Sequence, residues 1–257
     1  MRCVTPNRAP RVGTIAGTSL VVVFLAATYP LIQLDPGRNL GNLFSFLGRF
    51  AVAPNWDYAP KLGPRLWETV LMAFVATFWA ILISFPICFF ASQRFTSNKI
   101  LGAGIRGIVA ILRAFPELML ALLLASSIGL GPIAGVVALF LTTVGFLVKT
   151  FAESLDVVDR TPVEGITAAG ADWTGIRTIG AVPQALPDFV GLSLYSFDVN
   201  IRASAIIGAL GAGGIGYDIS QAVKLFQFDR LGLLIVSIYL IVAAIDVASS
   251  QIRRRLH

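Results

Sequence analysis

Long apolar runs separated by short polar segments organise this chain. Six runs stand out, at residues 13–34, 66–92, 104–128, 132–151, 187–210 and 231–250. A helix needs about 20 mostly apolar residues to cross the hydrocarbon core of a bilayer. The pattern therefore predicts an all-α integral membrane protein with about six transmembrane helices. Arg2, Arg8 and Arg11 precede the first run. That run is too long for a typical signal-peptide core and has no obvious cleavage site, so it reads as an anchor.

Orientation follows from the basic residues near the ends of these runs. With the amino terminus inside, the inner segments carry 12 Lys and Arg and the outer segments 6. This bias places both termini in the cytoplasm. Two regions result: residues 1–65, an anchor helix plus an extracytoplasmic segment, and residues 66–257, a helical core. Within 35–65, Leu43, Phe44, Phe46, Leu47, Phe50 and Val52 suit a short amphipathic helix lying on the membrane. Residues 153–186 form a long inner connection, and 211–230 an outer one that opens on glycines. Gly129-Leu-Gly-Pro132 predicts a tight turn.

Composition supports this picture and narrows the chemistry. Of 257 residues, 56% are hydrophobic and 13% charged, against about 25% charged in a soluble domain. The net charge of +6 sits at the ends of the apolar runs, as topology requires, and no basic stripe with interleaved aromatics offers a nucleic-acid surface. Cys3 and Cys88 do not suggest a disulfide framework. The only histidine is His257, so neither a histidine metal site nor a histidine-dependent triad is expected.

The inner connection carries the most pattern. It is too polar to span a membrane and too regular to be slack. Thr161-Pro-Val-Glu164 reads as a helix start, with Thr161 as cap, Pro162 in the first turn and Glu164 completing a capping box. The helix would run through Ile166 to Gly170. After Ala171, Asp172 would cap a second short helix carrying Trp173, Ile176 and Ile179, with Pro183 and Pro187 marking the return to the membrane. From pattern alone, such a helix pair is either a docking element or a loop folded back on its own bundle.

This stretch resembles the coupling loop of ABC importer permeases, whose motif runs Glu-Ala-Ala, three residues, Gly, nine residues, Ile, one residue, Leu-Pro. Glu164, Gly170 and Pro183 match; Gly165, Ile166, Gly180 and Val182 depart. Further blocks resemble the phosphonate transporter permease family: Arg113-Ala-Phe-Pro-Glu117, Gly129–Gly135, Lys149-Thr-Phe-Ala-Glu153, Phe197–Arg202 and Gly208–Gly216. The resemblance implies a type I importer bundle in a bacterial inner membrane. It implies a second copy of this chain, a cytosolic ATPase dimer that binds ATP and Mg, and an extracytoplasmic binding protein delivering phosphonate or phosphate. It assigns coupling to Thr161, Pro162, Glu164, Gly170, Ala171 and Asp172, and no cofactor to this chain.

Charges within the runs cost several kcal/mol unless paired or hydrated. Arg113 and Glu117 lie one helical turn apart, as do Asp198 and Arg202, with Asn200 between the latter two. These residues either line a translocation path or tie helices together. Gly208, Gly211, Gly213 and Gly214 lack the Lys-Ser or Lys-Thr of a phosphate loop, so a bend or close helix approach near an outer gate is expected. The same resemblance leaves open an ABC importer permease for another small solute, an amino acid or a quaternary amine, and it ranks two other classes lower. An ion-driven transporter would need no ATPase, and a lipid-phosphate enzyme would need clustered His, Asp and Glu.

Overall fold

The computed structural model describes residues 56–96 and 98–256, with Val22, Val23, Gly41 and Gly48. Apart from Val22 and Val23, which are helical, the expected anchor at 13–34 lies outside the described residues, as does the amphipathic segment at 43–52 apart from the helical Gly48. All helices named below belong to the compact unit Phe50–His257.

Helix α1 (Ala59–Ala91) follows a 3-10 turn at Trp56–Tyr58. Its pattern is inverted relative to a water-soluble helix. Thr69, Ala73, Thr77, Ala80, Ser84 and Cys88 recur along one face and are buried. Leu71, Phe74, Phe78, Leu82 and Phe85 point outward. In lipid, large apolar groups gain little from burial, while small residues let backbones approach closely. That logic buries the small stripe of α1 against its neighbours.

Helix α2 (Lys99–Ala114) starts where the Asn98 side chain accepts from the amides of Ile100 and Leu101. It stops at Phe115, whose extended backbone (φ −81°, ψ 124°) is what the following Pro116 favours. Helix α3 (Glu117–Ile128) then departs at 87°. The single span expected at 104–128 is thus a broken one. The Gly-Leu-Gly-Pro turn forms as expected: Gly129 takes φ +104°, and Pro132 opens α4 (Pro132–Asp156).

After α5 (Arg160–Ala168), a helical turn at Trp173–Gly175 and a π-helical turn at Ile176–Ala181 lead straight into α6 (Val182–Ile207). Pro183 and Pro187 therefore do not separate the inner connection from the span. Pro183 falls in the first turn of α6, where its missing amide is tolerated, and Pro187 sits inside the helix, as proline can in membrane bundles. A second π-helical turn at Gly208–Ala212 precedes α7 (Gly214–Lys224), bent by 58°. Helix α8 (Phe228–Leu256) completes the chain. The outer connection expected at 211–230 is thus mostly helix, because Ile215 and Ala222 find an apolar surface on Leu62, Leu231 and Leu234.

Three apolar clusters stack along the bundle. The inner one joins Phe89, Phe151, Leu155, Val163 and Ala185. The middle one joins Ala76, Leu139, Ala203 and Ile207. The outer one is that of Leu62, Ile215 and Leu234. Helices α1 and α6 contribute to all three, and α4 to the inner and middle ones.

Candidate functional site

Helix α5 projects from the inner end with most of its surface exposed. Thr161, Pro162, Glu164 and Gly170 are all exposed, as is Asp172, with Ala171 half-buried. The helix begins two residues before the expected start, at Arg160 rather than Pro162. Asp159, not Thr161, is the cap: its side chain accepts from the Thr161 amide at 3.1 Å. A carboxylate there satisfies an orphan amide and suits the positive end of the helix, which displaces the expected Thr161–Glu164 capping box. Gly170 ends the segment at φ +84°, as expected of a glycine after a helix. Asp172 caps the next turn by accepting from the Gly175 amide at 2.8 Å, also as expected.

Only the inward side of α5 is gripped. Val163 is buried, and Gly180 of the π-helical turn comes so close that a Cβ there would touch Val163 and Ile166 at 3.5–3.6 Å. The Asp159 amide donates to the Gln184 side-chain carbonyl at 3.0 Å, fastening the start of α5 to the start of α6.

Arg177 makes the deeper attachment. It is 5% exposed, lies over the Trp173 ring, and donates to the carbonyls of Phe89 and Phe95. Arg106 donates to Ala91 at 2.9 Å, in the same last turn of α1. Guanidinium groups here complement the negative end of the helix dipole. Asp156, at the end of α4, completes the junction by accepting from the amides of Gln93 and Arg94 and the Ser92 hydroxyl. Arg177 and Asp156 appear in the sequence only as an inner-side charge and a helix-end acid, so their junction was not legible there.

The membrane-embedded candidates fall into two groups. Arg113 and Glu117 do not pair, because the break at Phe115–Pro116 separates them. Instead they line one cavity with Thr142 and Phe146, of about 240 Å³. Glu117, Thr142 and Phe146 also line an adjoining cavity with Thr143 and Asn200, of about 190 Å³. Arg113 further lines an inner cavity of about 300 Å³ with Arg106 and Lys149. Shared residues join the three into one polar track along α2, α3, α4 and α6.

Asn200 is held firmly within it. The amide donates to Thr77 at 2.8 Å and to Thr143 at 2.9 Å, binding α6 to α1 and α4. Asp198 and Arg202 form the expected i,i+4 pair at 2.9 Å. Two residues along a helix is a rotation of about 200°, so this pair lies on the side of α6 away from Asn200.

At the outer end, the glycines shape a tight bend, as expected. Gly211, Gly213 and Gly214 take φ of +106°, +89° and +64°. Gly208 has helical dihedrals but no room for a Cβ against Gly213 and Gly216. The bend packs on α1, where Thr69 accepts from the Ile215 amide at 2.9 Å. Beside it, buried Asp218 accepts from the Tyr58 hydroxyl at 2.7 Å and pairs with Arg65 and Arg230, each at 3.5 Å. This network was missed, since its members are far apart in sequence.

Residues 84–257, more than half of the chain, match the family described as binding-protein-dependent transport system inner membrane component. The chain belongs to this family. Among proteins similar to it is the phosphate-import permease protein PhnE of Mycolicibacterium smegmatis, 34% identical over 252 residues. That match covers 96% of this chain and 47% of the relative, so the chain spans about half of that relative's length. The phosphite transport system permease protein PtxC of Stutzerimonas stutzeri is 30% identical over 236 residues, covering 91% of this chain and 85% of the relative. The fold is similar to that of the inward-facing MetNI methionine ABC transporter, with a TM-score of 0.67 at 24% identity. That alignment covers 76% of this chain and 96% of the other. The helical bundle described above is therefore the fold of this inner membrane component.

Proposed function

We propose that this chain is the permease subunit of an ATP-driven importer in a bacterial inner membrane, and that its cargo is a small phosphorus oxyanion such as phosphonate, phosphite or phosphate. A second copy faces the polar track, a cytosolic ATPase dimer that binds ATP and Mg docks on α5, and an extracytoplasmic binding protein delivers cargo. The names of the similar proteins motivate the cargo class.

The observation that carries the coupling role is the junction at the inner end. Helix α5 touches the bundle through Val163 and Gly180, while Arg177 grips the end of α1. Asp156, at the end of α4, binds the turn that follows α1. A displacement of α5 therefore reaches two helices of the core, and α4 lines all three cavities of the track. ATP-driven closure of the ATPase pair would push α5 and open the track outward. Hydrolysis would return it to the inward-facing state, giving alternating access. Glu164 and Gly170 lie on the exposed side, where a docked partner would sit.

Reconstituted with ATPase and binding protein, Glu164→Ala and Gly170→Trp are expected to insert normally yet lower uptake at least several-fold. A Cβ added at the exposed Gly170 meets nothing within 4 Å, so the tryptophan is expected to obstruct docking rather than the bundle, beyond the local left-handed strain of ~1–2 kcal/mol. Wild-type uptake by both variants would remove α5 from the coupling role. Uptake of an amino acid in place of the oxyanions would keep the mechanism and change the cargo.

A further inference from the structure

The inner cavity of the track lies between the turn after α1, helix α2 and the last two turns of α4. Its charged and polar lining is Gln93, Arg106, Arg113, Lys149, Glu153 and Asp156, over a floor of alanine and valine. Three cations against two carboxylates leave a formal excess of one positive charge. Both carboxylates are already engaged. Asp156 accepts from Ser92, Gln93 and Arg94, and Glu153 pairs with Lys149 at 3.5 Å.

The arginines are less committed. Arg106 uses one nitrogen on the Ala91 carbonyl. Arg113 makes no hydrogen bond or ion pair with any described residue. Its stem packs where a Cβ on Gly145 would sit, 3.1 Å away, one turn from Lys149. Seven residues separate Arg106 from Arg113, which puts them on one face of α2, about 10 Å apart along the axis. An uncompensated guanidinium on a membrane-spanning element is costly. Its forked donors match tetrahedral oxyanions bidentately.

We propose that this cavity is an anion site on the cytoplasmic side, in which Arg113 and Arg106 hold a phosphate or phosphonate group. The group has two possible sources, free oxyanion leaving the track or the headgroup of an anionic phospholipid. The free-anion source rests on the cargo reading above; the site itself does not.

The full chain in nanodiscs tests this without ATP or partner subunits. In phosphatidylcholine discs, methylphosphonate binding is measured by titration calorimetry. In discs containing phosphatidylglycerol, retained lipid is measured by native mass spectrometry after detergent extraction. Saturable methylphosphonate binding, weakened about tenfold or more by Arg113→Gln, supports the free-anion source. Preferential phosphatidylglycerol retention lost in Arg113→Gln, without methylphosphonate binding, supports the headgroup source. Arg160→Gln, on exposed α5, should change neither. Arg106→Gln also removes a cap from α1 and is read only if its melting temperature is unchanged; Arg113→Gln breaks no described hydrogen bond. Absence of both kinds of binding overturns the site, as does binding that Arg113→Gln leaves intact. Loss of the site with ATP-driven uptake intact leaves the importer reading standing, whereas failed uptake with binding intact counts against that reading alone.

Discussion

A Cβ added at Gly216 would collide with the Ala205 carbonyl, whereas one added at Gly165 would meet nothing within 4 Å. Two glycine-to-alanine changes should therefore differ in sign. Gly216→Ala forces helix α7 away from α6 and should cost at least ~1–3 kcal/mol, as overpacking does. Gly165→Ala lies inside exposed α5 and should gain up to ~1 kcal/mol of helix propensity. Thermal unfolding of the purified protein in detergent reads both, and equal shifts would contradict the packing described at the outer bend. Asn200 gives a smaller expected effect. Interhelical hydrogen bonds in membranes average roughly 0.6 kcal/mol, and Asn200 makes two, so Asn200→Leu should lower stability by ~1 kcal/mol, visible as a shift of a few degrees. The glycine bend was readable from the sequence because a run of glycines has few uses. The partners of Asn200 were not, because Thr77 and Thr143 lie 123 and 57 residues away.

Among the elements, the inner junction makes the sharpest prediction. Arg177 anchors the π-helical turn to the carbonyl end of α1. Removing a charged partner from buried acceptors costs roughly 1–3 kcal/mol. Arg177→Gln should thus loosen the transmission from α5 while leaving the ATPase able to dock: uptake falls several-fold, and ATP hydrolysis by the complex falls less. Arg177→Lys, which keeps the charge but not the fork, should recover part of the uptake. Equal loss of hydrolysis and uptake in Arg177→Gln, with no recovery in Arg177→Lys, would make the residue merely structural. The break between α2 and α3 is testable too. Pro116→Ala removes the constraint that holds Phe115 extended, which should weaken the 87° bend and let Arg113 and Glu117 approach the i,i+4 pairing of a continuous helix, disrupting the track they line. Reduced uptake at normal membrane insertion is the expected result. Sequence periodicity located these elements but missed their joints. Apolar runs do not distinguish one long span from two half-spans, and helix-capping patterns did not reveal that Asp159 would displace Thr161 as the cap. Pro183 and Pro187 signalled a boundary that a π-helical turn instead carries through.

At the scale of the whole molecule, the described residues of the unit Phe50–His257 form a helical bundle with large apolar side chains on its outer faces, and many of its interior polar groups gather in a track and two terminal networks. The fold class was legible because membrane spans must satisfy their backbone internally, which leaves long apolar helices as the visible solution. The track was not, since its residues come from four helices and only their packing brings Arg113, Glu117 and Asn200 into adjoining cavities. A polar track on one side of such a bundle is costly against hydrocarbon, so it should face a second copy or water. Cysteine cross-linking from Thr142 or Tyr195, which line the track or its rim, should give a dimer in membranes, and cross-linking from Val236 on the outer face of α8 should not. The most direct test of the account is uptake into proteoliposomes. They would contain the permease and its ATPase, with the binding protein outside and ATP enclosed. Labelled methylphosphonate and phosphate should enter only with ATP. Entry that ignores ATP and follows an ion gradient would contradict the account.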